Sequence, residues 1–401
     1  MIWNCYEFDR FSFAFEVRER QNTGKIFIAF KYDMMQQQPT WITPVLAFCL
    51  SFLFSVTLAP TLGLVAYQQY DFLVLWLVTM LVLALPALYM EVGLAKRAKS
   101  APLQGLMQLT RDADVSTKWR AVSWLAVVIV PLFAGAMLHY ANSAVISQLT
   151  LESITMGLNP SIAILVLAIF AVALSMLPRV ILLAVSAIAV LVYVVMGMLV
   201  EQGAWQWTRV SFADWAKVVT LTLVTGGLGL GVYWQSATQN VQASSADKAS
   251  STPIVLPIWI AQAVGLLAML WANQSATMTQ SIVLLVGALS LSAYLLQLIR
   301  AQLIQRQIAL PIQALILLIP ILIWALPISN VLYPILIALG LVLCFAYAIF
   351  AGWLMKISHL RKSLNFKSEI SYNLWRILIR IVVPVSIVVA MIAWLQTLLT
   401  A

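Results

Sequence analysis

Four glycines fall within six positions of the stretch "LVTGGLGLGVYW", at Gly226, Gly227, Gly229 and Gly231, inside an otherwise apolar run. Each glycine in a helix interior costs about 1 kcal/mol relative to alanine, so the cluster favours local unwinding. Unwound backbone inside a bilayer presents N–H groups suited to a carboxylate and C=O groups suited to a cation. The bland alternative is that the glycines let neighbouring helices approach closely. Their spacing fits that less well, because Gly227 and Gly231 share a helix face while Gly226 and Gly229 lie elsewhere. Two side chains add candidate proton chemistry. Glu91 is a carboxylate set well inside an apolar run, where a charge costs several kcal/mol unless it is paired or reached by water. It reads either as a functional group accepting N–H bonds from the unwound helix or as a cap near the cytoplasmic interface. His139 lies inside an expected helix. With an ordinary pKa of about 6.5 it can carry a proton, or simply bond to a neighbour such as Tyr140 or Asn142.

The elements that position these groups follow from composition. Hydrophobic residues make up 63% of the 401-residue chain and charged residues 9%, against about 25% charged in soluble domains. This is the signature of a polytopic membrane protein. A net charge of +9 in a soluble chain would suggest nucleic acid, but here the cations sit in short loops between apolar runs, so the expected partners are the lipid bilayer and a small-molecule solute. Apolar runs of about 20 residues occur at Trp41–Ala66, Phe72–Leu94, Ala121–Leu149, Ser161–Leu177, Val180–Val200, Trp215–Trp234, Ile254–Trp271, Thr279–Ile299, Ile308–Leu326, Val331–Leu354 and Leu374–Leu399. Lys96, Arg97, Lys99, Arg111, Lys118, Arg120, Arg179, Lys248, Arg300, Arg306, Lys356, Arg361, Lys362 and Lys367 all fall on one side if the spans alternate, leaving Arg209 and Lys217 opposite. That bias places the N-terminus in the cytoplasm and the C-terminus outside a plasma (inner) membrane.

Cys5, Cys49 and Cys344 show no pairing or metal-like spacing, so neither a disulfide nor a metal site is expected. No nucleotide-binding loop, zinc-type His-Glu pattern or nucleophile with a plausible base is present, and the chain does not read as an enzyme. The segment Met1–Asp33 has mixed charge and no clear period, and Met34 or Met35 makes a more natural start.

The first span carries its own interruption, "SVTLAPTLG", where Pro60 removes a backbone donor and Gly63 follows. The glycine cluster falls in the sixth span. Interruptions in corresponding positions of two five-span halves point to an inverted repeat with a midplane binding site. The expected fold is all-α: an N-terminal cytoplasmic segment (1–40), a first five-helix repeat (41–200), a second, inverted repeat (201–355), and a cytoplasmic loop with an eleventh helix (356–401).

Three stretches carry a specific likeness: "LPALYMEVGLAKRAKSAPLQG", "TGGLGLGVYWQSA" and "FAGWLMKISHLRKSL…LWRILIRIVVPV". With them the chain resembles the neurotransmitter:sodium symporter family in its bacterial eleven-helix form. The resemblance implies a substrate site around the two breaks, carried here by Ser55, Val56, Leu58, Ala59, Leu138, Tyr140, Val224, Thr225, Gly227, Gly229 and Leu230. It implies sodium ligation at Ser55, Val56, Thr225, Gly287 and Ser290, and it sets Glu91 beside the breaks. The pattern departs from the family at functional positions. Pro60 replaces a sodium-liganding asparagine, Gly63 a gate arginine, Leu138 a substrate-contacting tyrosine and Leu291 a hydroxyl of the second sodium site. A hard cation tolerates no aliphatic replacement of its oxygen ligands, so sodium dependence is expected to be weak or lost. Glu91 and His139 are then the groups available for proton coupling. The expectation is a secondary transporter of an amino-acid-like solute; the alternative is an accessory or sensor protein that keeps the fold without transport.

Overall fold

The computed structural model describes residues 40–64, 69–151, 159–199, 204–243, 250–272 and 277–400; Met1–Asp33 lies outside them. In chain order the helices are α1 (Ile42–Leu58), α2 (Tyr70–Ala98), α3 (Pro102–Asp112), α4 (Ala121–Leu151), α5 (Pro160–Leu174), α6 (Arg179–Met198), α7 (Phe212–Leu223), α8 (Val232–Ala243), α9 (Thr252–Trp271), α10 (Met278–Gln305), α11 (Leu310–Ala325), α12 (Ser329–Leu354) and α13 (Ile357–Leu364). The last helix, α14, runs Glu369–Ile377, passes through a π turn at Leu378–Val382, and continues as Val383–Thr400. The protein is an all-α, multi-pass membrane protein. Among the described residues seven helices are long and apolar enough to cross a bilayer, and α1, α5 and α11 are shorter apolar helices.

Helix starts are written locally. Pro102 and Pro160 occupy first-turn positions, where the missing N–H costs nothing. The Asn159 side chain accepts from Ser161 N–H, Thr277 from Gln280 N–H, and Ser211 with Asp214 forms a reciprocal capping box at the start of α7. Long apolar runs then carry the helices across, with their lipid-facing residues exposed.

Two differences from the sequence reading matter. The first span was expected to continue to Ala66 around a break, but α1 ends at Leu58 and a turn occupies 59–64. Pro60 has no N–H for the Val56 carbonyl, and Gly63 at φ 66° completes the turn. The interruption is therefore a helix end, and α2 begins at Tyr70, pinned by a bridge between Gln69 and Gln206. Secondly, the loops after α2 and α12 contain short amphipathic helices. In α3 the spacing of Leu103, Leu106 and Leu109 buries one stripe, and His359 sits in α13.

The spans pack as a bundle in which α1 lies on α9 and α8 lies on α2. α4 and α10 pack on each other; α4 also packs on α11 and α12, while α10 packs on α5 and α6. Trp76, Trp234 and Trp324 are among the largest side chains fully enclosed.

Candidate functional site

Between α7 and α8 the chain leaves the helical path. Gly227, Gly229 and Gly231 adopt φ values of 71°, 79° and 71°, a left-handed conformation that costs a side-chain-bearing residue roughly 1–2 kcal/mol. Alternating such glycines with ordinary residues turns backbone N–H groups into a concavity suited to an anion. Glu91 from α2 supplies that anion. Gly229 N–H donates to its Oε1 at 2.6 Å, and Trp234 N–H, in the first turn of α8, donates to its Oε2 at 3.2 Å. The carboxylate thus sits at the N-terminus of α8, where the helix dipole favours negative charge, and is 1% exposed. It accepts N–H bonds from the broken helix, the bonding one of the two sequence readings expected, and caps the buried N-terminus of α8.

The freed carbonyl of Gly226 accepts from both the Tyr233 hydroxyl and the Gln262 amide, each at 2.7 Å. The glycines also serve close approach. An added Cβ at Gly227 would strike Leu50 of α1, one at Gly229 would lie 2.6 Å from the Cys344 backbone nitrogen of α12, and one at Gly231 would lie 3.0 Å from Pro102 of α3. Unwinding and tight packing, weighed as rivals from the sequence, coexist at these positions.

This helix, broken at its middle, is held between α1, α2 and α12. The chain aligns with MhsT, whose crystal structure was determined in complex with L-phenylalanine, at TM-score 0.64 over 88% of this chain and 98% of that one. The protein has the MhsT fold. Sequence identity is 14%, so the likeness to MhsT is one of architecture. No family model matches the sequence, and no curated protein matches it.

At the centre of this MhsT-like bundle the other sequence candidates separate. Ser55 and Val56 lie within continuous α1. The Ser55 carbonyl accepts the Ala59 N–H at 2.8 Å, and its hydroxyl donates to Ser51 C=O at 2.5 Å. Leu58 and Ala59 carbonyls take the Leu62 and Leu64 N–H groups of the following turn at 3.0 and 2.8 Å. The Thr225 hydroxyl donates back to Leu221 C=O. In α10, Gly287 packs against Ala189 of α6 and its carbonyl accepts from Ser186 Oγ at 3.3 Å, while Ser290 is buried. The adjoining crevice between α1, α6 and α10 is lined by groups such as Phe52, Leu53, Ala189 and Leu284 and is too narrow to admit water. The Ser55 oxygens are thus bonded along α1, and the Thr225 hydroxyl, just past the end of α7, donates back into that helix.

Two rings that the sequence reading did not single out lie beside the remaining candidates. Phe54 of α1 stacks on Phe133 of α4 with centroids 4.6 Å apart and planes at 19°. Val224, at the start of the break, reaches α12, where a Cβ at Gly340 would lie 2.9 Å from its Cγ1 and 3.6 Å from the Phe133 ring. Leu138 and Leu230 are buried, and Tyr140 is half-buried against the core. A stacked aromatic pair brought together from α1 and α4 has no signature in local spacing. Gln262 did have one: an amide in the middle of an apolar run.

His139 finds a different partner from the neighbours first considered. Its Nδ1 lies 3.0 Å from the hydroxyl of Tyr333 in α12, and the ring packs beside Trp324 with centroids 5.5 Å apart. The Trp324 indole N–H in turn donates to Leu132 C=O at 2.9 Å. Glu91 and His139 therefore belong to separate networks.

Proposed function

We propose that this protein is a secondary transporter of a small amino-acid-like solute, working by alternating access between two inverted five-helix halves, and coupled to protons in place of sodium. The observation that carries the reading is the broken helix α7–α8, seated against α1 and α12 in a fold shared with MhsT. Such interruptions line solute sites in transporters built from inverted repeats. The packing supports the repeat: α1 on α9 has its counterpart in α8 on α2, and α4 on α11 and α12 has its counterpart in α10 on α5 and α6. The buried contacts of Val224, Leu138 and Leu230 favour a solute with an apolar side chain, in keeping with the L-phenylalanine bound to MhsT. Pro60 and Leu291 bring no side-chain oxygen where the resemblance implies sodium ligands, which speaks against sodium and leaves Glu91 and His139 for the proton. The basic loops place the N-terminus in the cytoplasm and the C-terminus outside.

A second reading, a transport-inactive accessory or sensor, is favoured by the Phe54–Phe133 stack across the centre and by the use of the break's N–H groups on Glu91. Uptake of a mixed amino-acid pool, L-phenylalanine included, into liposomes carrying the purified protein separates the two. The transporter reading expects uptake that persists when choline replaces sodium and that rises with an imposed pH gradient. Sodium-dependent uptake that half-saturates at millimolar concentration overturns proton coupling. Failure of every amino acid to enter, with the protein monodisperse, supports the inactive reading.

A further inference from the structure

We propose that Arg376 and Arg380 of α14, together with Trp353 of α12, form a binding site for the phosphodiester headgroup of an anionic phospholipid. The inference rests on the membrane-spanning character of the chain and stands whether or not solute is transported.

The Arg380 guanidinium lies over the Trp353 indole, 4.8 Å from its centroid, and the indole N–H donates to the Arg380 carbonyl at 3.0 Å. The Arg380 stem runs past Gly352, where an added Cβ would sit 3.0 Å from its Cγ. The arginine is thus held in place by α12 while its Nε is enclosed without a hydrogen-bond partner. Its nearest acidic neighbour in sequence, Glu369, is taken by Arg361. Arg376 lies one turn before Arg380 on the same side of the helix, and no carboxylate pairs with it among the described residues. Arg376, Arg361 and Arg380 all act electrostatically on the Tyr372 hydroxyl, so three guanidiniums gather at this end of the bundle.

Depth and exposure identify the anion as a lipid's. From Glu369 to Thr400 the helix spans about 48 Å at 1.5 Å per residue, against a hydrocarbon core of about 30 Å. If Thr400 marks one face of that core, its other boundary falls near Arg380. Trp353, 56% exposed, stands where tryptophan anchors commonly lie. Ile381, Val385 and Val388 are exposed along the same helix on the core side of that boundary, so cations and acyl-chain surface adjoin. A phosphatidylglycerol headgroup meets the arginines with net negative charge, whereas the ammonium of phosphatidylcholine cancels it.

The test uses the full chain, purified and reconstituted in nanodiscs of equimolar palmitoyl-oleoyl phosphatidylglycerol and phosphatidylcholine, with retained lipid counted by native mass spectrometry. Phosphatidylglycerol is expected to be enriched over phosphatidylcholine. Arg376→Gln or Arg380→Gln should each lower that enrichment about five-fold, the scale for one cation at an anionic surface. Arg376→Lys with Arg380→Lys should retain most of it, and Arg209→Gln, in a separate loop, should leave it unchanged. Equal retention of the two lipids by the unaltered protein overturns the proposal. So does enrichment that survives Arg376→Gln in a monodisperse protein, a variant that spares the Trp353 contact and keeps the test decisive if Arg380→Gln does not fold. Displacement by millimolar glycerol 1-phosphate also overturns it, because the site would then be one for a soluble phosphate.

Discussion

Glu91 and Gly229, 138 positions apart, are joined by a 2.6 Å hydrogen bond from the backbone of the broken helix to a buried carboxylate. With the second bond from Trp234, the carboxylate satisfies two donors that unwinding would otherwise leave orphaned. Glu91→Leu should leave both N–H groups buried without an acceptor, at about 1–3 kcal/mol each. Glu91→Gln keeps one carbonyl oxygen and should cost less. Thermal unfolding in detergent is expected to rank the unaltered protein above Gln and Gln above Leu; equal midpoints for all three would remove the cap from the argument.

Gly229→Ala and Gly63→Ala share a left-handed backbone but not a setting. At Gly229 the new Cβ meets the Cys344 backbone, with Cα and N both at 2.6 Å; at Gly63 nothing lies within 4 Å. The Gly63 variant should lose only the backbone term of roughly 1–2 kcal/mol. The Gly229 variant should lose that and also force α12 away from the break, lowering its yield of folded protein well below that of Gly63→Ala. Comparable yields and melting points would show that α12 can move aside freely.

Phe54→Ala and Phe133→Ala each remove one ring of a stack whose members are both 1% exposed. Truncation of a buried phenylalanine costs about 3–5 kcal/mol where the space cannot collapse. Because the rings touch, the double variant should be less destabilised than the sum of the singles. In the uptake assay Phe133→Ala should admit bulkier competitors of L-phenylalanine; an unchanged competitor profile would place the solute path away from this pair.

His139 and Tyr333 offer a cleaner pairwise measurement. A double cycle of His139→Phe and Tyr333→Phe, read by thermal unfolding, should return a coupling of about 0.5–1.5 kcal/mol for their 3.0 Å hydrogen bond. A coupling indistinguishable from zero would mean that the two groups turn to other partners.

The sequence by itself determined the membrane-spanning helices and the position of the central break. Hydrocarbon length dictates runs of about 20 apolar residues, and glycine's low helix propensity is a property of the residue alone, so Gly227, Gly229 and Gly231 announce unwinding without reference to any neighbour. The expected bonding of Glu91 to the unwound N–H groups followed from the cost of an unpaired charge in the bilayer. Tertiary structure decided the rest. That α2 begins at Tyr70 depends on a bridge between Gln69 and Gln206 that joins separate segments. That His139 turns to Tyr333, and Phe54 to Phe133, depends on which faces of α1, α4 and α12 meet. Helices apolar on nearly every side carry little record of that choice in their hydrophobic pattern; it is made by the close approaches the glycines permit, which exist only once the bundle is assembled.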